Sequence, residues 1–470
     1  MNRREGAGGE REARPNQGRG TATSTSVILA LLLLTQAGWF VWRTATNSPT
    51  IDFFTFWSIP HDLSRKPVAN IYLPDGQRAL ASVAVAEALS PAASNLQRQA
   101  TAMVLHLYNG RIDAPGSPFL YAAIGWLSSG DFATDQKRFM LICSLCLVAS
   151  VLLLNNLLRF TVVDLILLVT FLSWAYEPVL SDARVGNVGE IQLLAISLFI
   201  VFMARSRLFL AGLTIGAATA FKPTTAVVLA LGVIALLADR DYRQLLRMLA
   251  GSLIAVSASV LAAAAYFRNP ATWLDFIRSL HGTLNGASYP VENGNFSLSM
   301  LLFGANQGWA AGILLVLLVA FSWLLFATRR RGAGSIPILP VEENEARRRF
   351  HTAFAVGGAG CAIMLLSSPL VWLHYYLLLL PLSLYVMRPV SEPPYASSSQ
   401  NLRFWRGIVL LLPFVLLLTF SFAAYQIVGD RPRLMCVLVI LATLSTLVLA
   451  AYYIWQQRSA ANGPKTALAS

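Results

Sequence analysis

The sequence predicts an all-α polytopic membrane protein, on three observations. Apolar residues make up 56% of the 470 residues and charged ones only 13%, against about 25% charged in soluble domains. The apolar residues gather into long runs, many near the ~20 residues that a straight helix needs to cross a bilayer. The basic residues crowd into alternate connections between those runs, which is how membrane topology is written in sequence.

Taken in order, the apolar runs give about twelve crossings: 26–42, 139–158, 161–180, 190–204, 208–221, 223–238, 248–267, 309–328, 351–367, 373–387, 407–427 and 434–455. Residues 1–25 are rich in Gly, Arg and Glu and are expected to be a disordered basic tail. Residues 457–470 form a second tail, which leaves 26–456 as the transmembrane domain. The run 26–42 leads to Arg43 without a cleavage pattern, so it reads as a retained anchor. With the N-terminus cytoplasmic, 22 of the 36 Lys and Arg but only 10 of the 23 Asp and Glu fall inside, so nearly all of the +13 net charge is cytoplasmic. This excess reads as orientation in the plasma membrane and contact with anionic lipid, not as nucleic-acid binding.

Cys143, Cys146, Cys361 and Cys436 all lie in apolar runs. Cys143 and Cys146 are an i, i+3 pair on one helix face, read as packing rather than as a redox or zinc pair.

Two outer segments are long, 44–137 and 268–308. Outer segments of this length without a function are uncommon. The first carries amphipathic stretches at Ala79–Leu89 and Leu96–Tyr108, and a run, Phe119–Leu127, too short to span. That run is expected to lie on or dip into the membrane. The outer face is therefore the working face.

On that face stands Ile51-Asp52-Phe53-Phe54-Thr55-Phe56-Trp57, a carboxylate among apolar and aromatic neighbours just past the first crossing. A charge at membrane depth costs roughly 2.5–3.5 kcal/mol and less at the interface, so the placement points to a function. Lys222-Pro223 interrupts the apolar stretch 208–238, and Arg205, Arg207, Arg240 and Arg243 flank it. Those flanks want the same side, so the chain must turn back at Lys222. Each half is shorter than a full span, which sets the turn below the outer surface. Irregular backbone at that depth belongs beside a watery cavity; the alternative is a lysine that snorkels to the interface.

The connection Ser181–Glu190 brings Arg184 and Glu190 to the outer boundary. Ser367-Ser368-Pro369 ends one helix and His374 enters the next. Asn295, in Asn293-Gly294-Asn295-Phe296-Ser297, offers an amide suited to a sugar, although such residues also make turns.

Five of these pieces, in chain order, resemble the membrane glycosyltransferases of the GT-C class, and family 87 in particular. Asp52 with Phe53–Trp57 resembles that family's aspartate after helix one. Gly189-Glu190-Ile191-Gln192-Leu193-Leu194 resembles its Gly-Gln-x-Asn-Leu-Leu helix start. Ala211-Gly212-Leu213 through Phe221-Lys222-Pro223-Thr224 resembles its Ala-Gly-Leu … Lys-Pro segment. Asn295-Phe296-Ser297-Leu298 resembles Asn-Gln-Ser-Leu, and Ser368-Pro369 … Trp372-Leu373-His374 resembles Ser-Pro-x-x-Trp-x-His. Glu190 and Phe296 stand where the family pattern has Gln.

The resemblance implies a GT-C-like bundle with amphipathic helices in its outer loops. It implies inverting transfer of a hexose, mannose in this family, from a polyprenyl-phosphate sugar to a lipid or glycan acceptor, with no nucleotide, metal or other cofactor. Asp52 is then the catalytic base. Lys222, Arg184 and His374 are candidates to contact the lipid phosphate, with Glu190 and Asn295 as further substrate contacts. A transporter or flippase of envelope lipids is the competing class, but no repeat relates the two halves of the chain. A non-catalytic assembly subunit is the other alternative, raised by the altered Glu190 and Phe296.

Overall fold

The structure is a computed structural model that describes residues 48–68, 70–286, 289–304, 308–332, 341–387, 420–428 and 430–460, with seven helical positions between 28 and 43. The expected tail 1–25, most of the runs 26–42 and 407–427, and residues 461–470 lie outside the described residues. No strand occurs among the described residues; a single β-bridge joins Tyr176 and Ser421.

The segment 44–137, expected to be outer, comes first in sequence. Helices α1 (Ile51–Arg65), α2 (Pro74–Ala88), α3 (Asn95–Leu107) and α4 (Pro118–Leu127) follow one another. Pro74 and Pro118 occupy first-turn positions, where proline's missing N–H is not needed. Ser94 and Ser117 cap α3 and α4 by accepting from the backbone N–H of Gln97 and Leu120. The aromatic residues of α1 point into a shared core: Phe53 stacks on Phe139 at 4.6 Å, and Trp57 meets Phe132 edge-on at 5.2 Å. The short run foreseen at 119–127 is α4, packed against α1 and the bundle.

The bundle continues with α5 (Phe132–Leu158), α6 (Val162–Trp174), α7 (Glu177–Val185), α8 (Gly189–Ala204) and α9 (Leu208–Phe221). A 3₁₀ turn, Pro223–Thr225, then leads to α10 (Ala226–Ala238). After these come α11 (Tyr242–Phe267), α12 (Thr272–Gly286), α13 (Leu298–Phe303), α14 (Gly308–Gly332) and α15 (Val341–Ser367). A 3₁₀ stretch, Leu373–Leu379, precedes α16 (Leu380–Met387), and α17 (Phe422–Val428) and α18 (Pro432–Ala460) complete the order. Helix α15 is the central mast, with Ala353–Leu366 buried throughout. Helices α11 and α14 carry Leu253, Leu261, Val316 and Trp323 exposed, as a hydrocarbon surround would favour.

Among the described residues five helices are long and apolar enough to cross a membrane, and six more apolar helices are shorter. The expected count of about twelve crossings is therefore not confirmed. The run 161–180 is not one helix: it breaks at Ala175–Tyr176. There Glu177 N–H bonds the carbonyl of Phe420, and Pro178 opens α7.

The turn at Lys222 is present. Lys222 is extended (φ −142°, ψ 104°), between α9 and the 3₁₀ turn. Met248 of α11 touches both sides of it. A side chain at Gly212 would collide with the Met248 carbonyl, and one at Gly232 would reach the Met248 sulfur at 3.3 Å. Positions on opposite arms thus meet one residue, so the chain doubles back. The α9–α11 contact is close because Gly212 and Gly216 remove side chains from it; a Cβ at Gly216 would lie 2.6 Å from the Ser252 carbonyl oxygen.

Candidate functional site

Asp52 sits in the first turn of α1, where the helix dipole favours an anion. The helix begins at Thr50, whose left-handed backbone (φ 45°) is held from outside. Gln136 of α5 donates to both the Ser48 carbonyl and the Thr50 hydroxyl at 2.9 Å. Gly186 ends α7 with φ +70°, and a Cβ there would stand 2.8 Å from both Thr50 and Phe53. A glycine is required at this point because the 186–188 turn lies directly against the start of α1.

That approach delivers Asn187 to Asp52. Asn187 Nδ2 donates to Asp52 Oδ2 at 2.6 Å and lies 3.0 Å from His374 Nε2. Its Oδ1 accepts from Val188 N–H at 2.7 Å, which fixes the amide orientation. The two Nδ2 hydrogens therefore go to Asp52 and His374. His374 Nε2 acts as an acceptor, so the ring is neutral with its proton on Nδ1. Asp52 and His374 are themselves 4.0 Å apart. Burial pushes the Asp52 carboxyl up to about 6, against the Asn187 hydrogen bond and the Lys222 charge, which pull it down.

The Lys222 ammonium lies over the Tyr375 ring, 4.0 Å from its centroid. The carbonyl beside it, Phe221, accepts from Ser117 Oγ at 2.9 Å, which ties the turn to the loop before α4. Arg184 is half-exposed and forms an ion pair with the fully buried Glu177. Asp52, Lys222, His374, Arg184 and Glu177 all line one cavity of about 560 Å³, within the ~300–1,000 Å³ of ligand sites. Its other walls are largely apolar and aromatic, with Phe56, Tyr108, Tyr289, Trp372 and Tyr375 among them.

Two sequence-expected contacts lie elsewhere. Glu190 is buried behind the cavity and is not among its lining residues. Its carboxyl is paired with that of Asp182 rather than with any group of the cavity. Asn295 is saturated by backbone. Its Nδ2 donates to the carbonyls of Tyr289 and Pro369, and its Oδ1 accepts from Ser297 and Val371 N–H. It clasps two cavity-forming loops and has no side-chain donor or acceptor left for a substrate.

Sequence reading did not single out Asn187, Asp113, Glu177 or the aromatic wall. Asp113 lines the cavity from the loop between α3 and α4, accepts from Ala114 N–H at 3.0 Å, and has its carboxyl raised by burial. Its only sequence signal is a carboxylate next to the Pro- and Gly-containing stretch Ala114-Pro115-Gly116-Ser117-Pro118.

An all-helical protein with membrane-length helices thus carries, in one cavity, a carboxylate beside a lysine, an arginine and a neutral histidine. The family model of glycosyltransferase family 87 matches residues 114–339. The match supports a glycosyltransferase family 87 membrane protein, and the family implies a membrane glycosyltransferase with a donor and an acceptor substrate. The matched stretch contains Arg184, Asn187 and Lys222; the fold brings Asp52 and His374 to them from outside it. No curated protein and no solved structure matches the chain.

Proposed function

We propose that the protein transfers a hexose, mannose in the first instance, from a polyprenyl-phosphate sugar to a lipid or glycan hydroxyl on the outer face of the plasma membrane. The observation that carries this reading is the cavity in which Asp52 and Lys222 face one space. Asp52 takes the acceptor proton as the acceptor oxygen attacks the anomeric carbon from the face opposite the phosphate. The anomeric carbon–oxygen bond breaks, and the electron pair leaves with the polyprenyl phosphate. Lys222 and the N–H donors of Arg184 not engaged by Glu177 stabilise that growing charge. The configuration at the anomeric carbon inverts.

The neutral His374, held by Asn187, keeps Nδ1–H as a hydrogen-bond donor rather than adding a second cation. The aromatic walls suit the faces of sugar rings and exclude water. Every cavity-lining segment falls at an outer end in the sequence-derived topology, which supports an extracytoplasmic site. The ion pair Arg433–Glu292 joins two segments read as outer, and Arg348–Asp239 two read as inner.

The test is transfer by the purified full chain from polyprenyl-phosphate mannose to envelope lipid extract, followed by mass spectrometry of the product. A mannosylated product of inverted configuration is expected. No transfer from that donor, with transfer from another lipid-phosphate sugar, would reject mannose. No transfer from any of them would reject the activity. Topology has its own check: Asp75→Cys should react with an impermeant thiol reagent in intact cells, and Ser335→Cys should not.

A further inference from the structure

Away from the cavity, near the other end of α1, three metal-ligating side chains converge. His61 and Asp62 of α1 and Glu87 of α2 place one ligand atom each within 4.8 Å of one another. His61 and Asp62 lie nine to ten residues beyond Asp52, or about 15 Å along α1, so the cluster forms a separate site. One edge is already near ligand spacing: His61 Nε2 stands 3.1 Å from Glu87 Oε2. The edge of a tetrahedron with ~2.0–2.1 Å bonds is about 3.3 Å.

Asp62 makes the cluster unusual. It is completely buried, and neither carboxyl oxygen has a hydrogen-bond partner. Buried carboxyl groups are ordinarily paired, and an orphan of this kind calls for an explanation such as a bound ion. The arrangement around it is held in place. The His61 ring stacks on Trp57 at 4.3 Å, and Trp57 is itself fixed by a hydrogen bond to Asp135 at 3.0 Å. His61 Nε2 faces both Glu87 oxygens, at 3.2 Å from Oε1 and 3.1 Å from Oε2, and Arg65 pairs with Oε1 and supports the carboxylate from outside the cluster.

We propose that His61, Asp62 and Glu87 bind one zinc ion that fastens α1 to α2. An imidazole with two carboxylates favours zinc over the hard cations magnesium and calcium, which prefer all-oxygen shells. Two carboxylates offset the divalent ion, with the imidazole neutral and the Arg65 cation held outside the cluster at 55% exposure. Three protein ligands leave a fourth position for water. The ion steadies the helix that presents Asp52 and takes no part in the sugar transfer.

The test is a zinc titration of the chelator-treated full chain in detergent, reading bound metal per chain and the temperature of unfolding. One equivalent of zinc is expected, with an unfolding temperature that rises with zinc concentration and does not respond to magnesium. Asp62→Asn and Glu87→Gln should each weaken zinc binding by more than the roughly 10–100-fold that losing an outer-shell partner costs. A wild-type chain that neither binds zinc nor gains stability from it would overturn the proposal, whatever the variants do. So would zinc bound at wild-type affinity by both variants, which would locate the ion elsewhere.

Discussion

Two polar layers lie at the same end of the bundle, and they are built on opposite terms. In the front layer Asp52, Asn187 and His374 are linked by hydrogen bonds and open to a cavity that Lys222 shares. In the back layer Asp182, Glu190 and Gln192 are sealed from it; the Asp182 and Glu190 carboxyls meet each other, and both Gln192 amide atoms lack partners. The layers are joined by a short stretch of chain. Asp182 accepts from Gly189 N–H at 3.2 Å, and its own carbonyl accepts from Gly186 and Asn187 N–H. The back layer therefore shapes the turn that presents Asn187 to Asp52. Residue type does not separate the two layers here; access to the cavity does.

This division ranks the expected effects. Asp52→Asn keeps the shape but removes the base, so turnover should fall by about 10²–10⁴-fold. The purified variant should still bind donor, as a direct lipid-phosphate binding assay would report. Equal loss of binding and turnover would move Asp52 into the supporting layer.

Lys222→Ala should cost about 10²–10³-fold in kcat, the scale for one donor aimed at developing charge. Lys222→Arg should recover part of it. Unchanged donor affinity and turnover in both would remove Lys222 from the phosphate.

Asn187→Ala deletes a hydrogen bond to an ionised group, worth about 1.5–3 kcal/mol, so kcat/KM should drop roughly 10–150-fold. Because that bond favours the charged form of Asp52, its loss should also move the acid limb of the pH profile upward. A drop with no shift of the limb would mean that Asn187 acts only on His374.

Glu190→Gln belongs to the back layer and should change turnover by no more than a factor of about three, under 1 kcal/mol. A loss comparable with that of Asn187→Ala would erase the distinction between the layers.

How far the sequence could reach follows the same line. The turn at Lys222 was legible because run length and flanking arginines left only one consistent path. Asp52 was legible because a carboxylate among aromatics at a membrane boundary is costly. Glu190 was misplaced because a residue at a helix start can face either way, and sequence does not say which side the cavity is on. Asn187 was passed over because asparagine beside glycine is an ordinary turn former; only the fold puts His374 against it. Asn295 looked like a sugar ligand until its four backbone bonds were accounted for. The break at Ala175–Tyr176 was hidden inside a continuous apolar run, because Phe420, which bonds Glu177 there, is distant in sequence.

The central claim is that Asp52 is the base, and the pH dependence of kcat/KM tests it most directly. In the free enzyme a protonated Asp52 cannot accept the acceptor proton, so activity on polyprenyl-phosphate mannose should rise with pH through about 6 and level off above it. Asp52→Asn should retain only a small residual rate with that limb gone. A wild-type profile that is flat across this range, or an Asp52→Asn enzyme that keeps the same limb, would contradict the account.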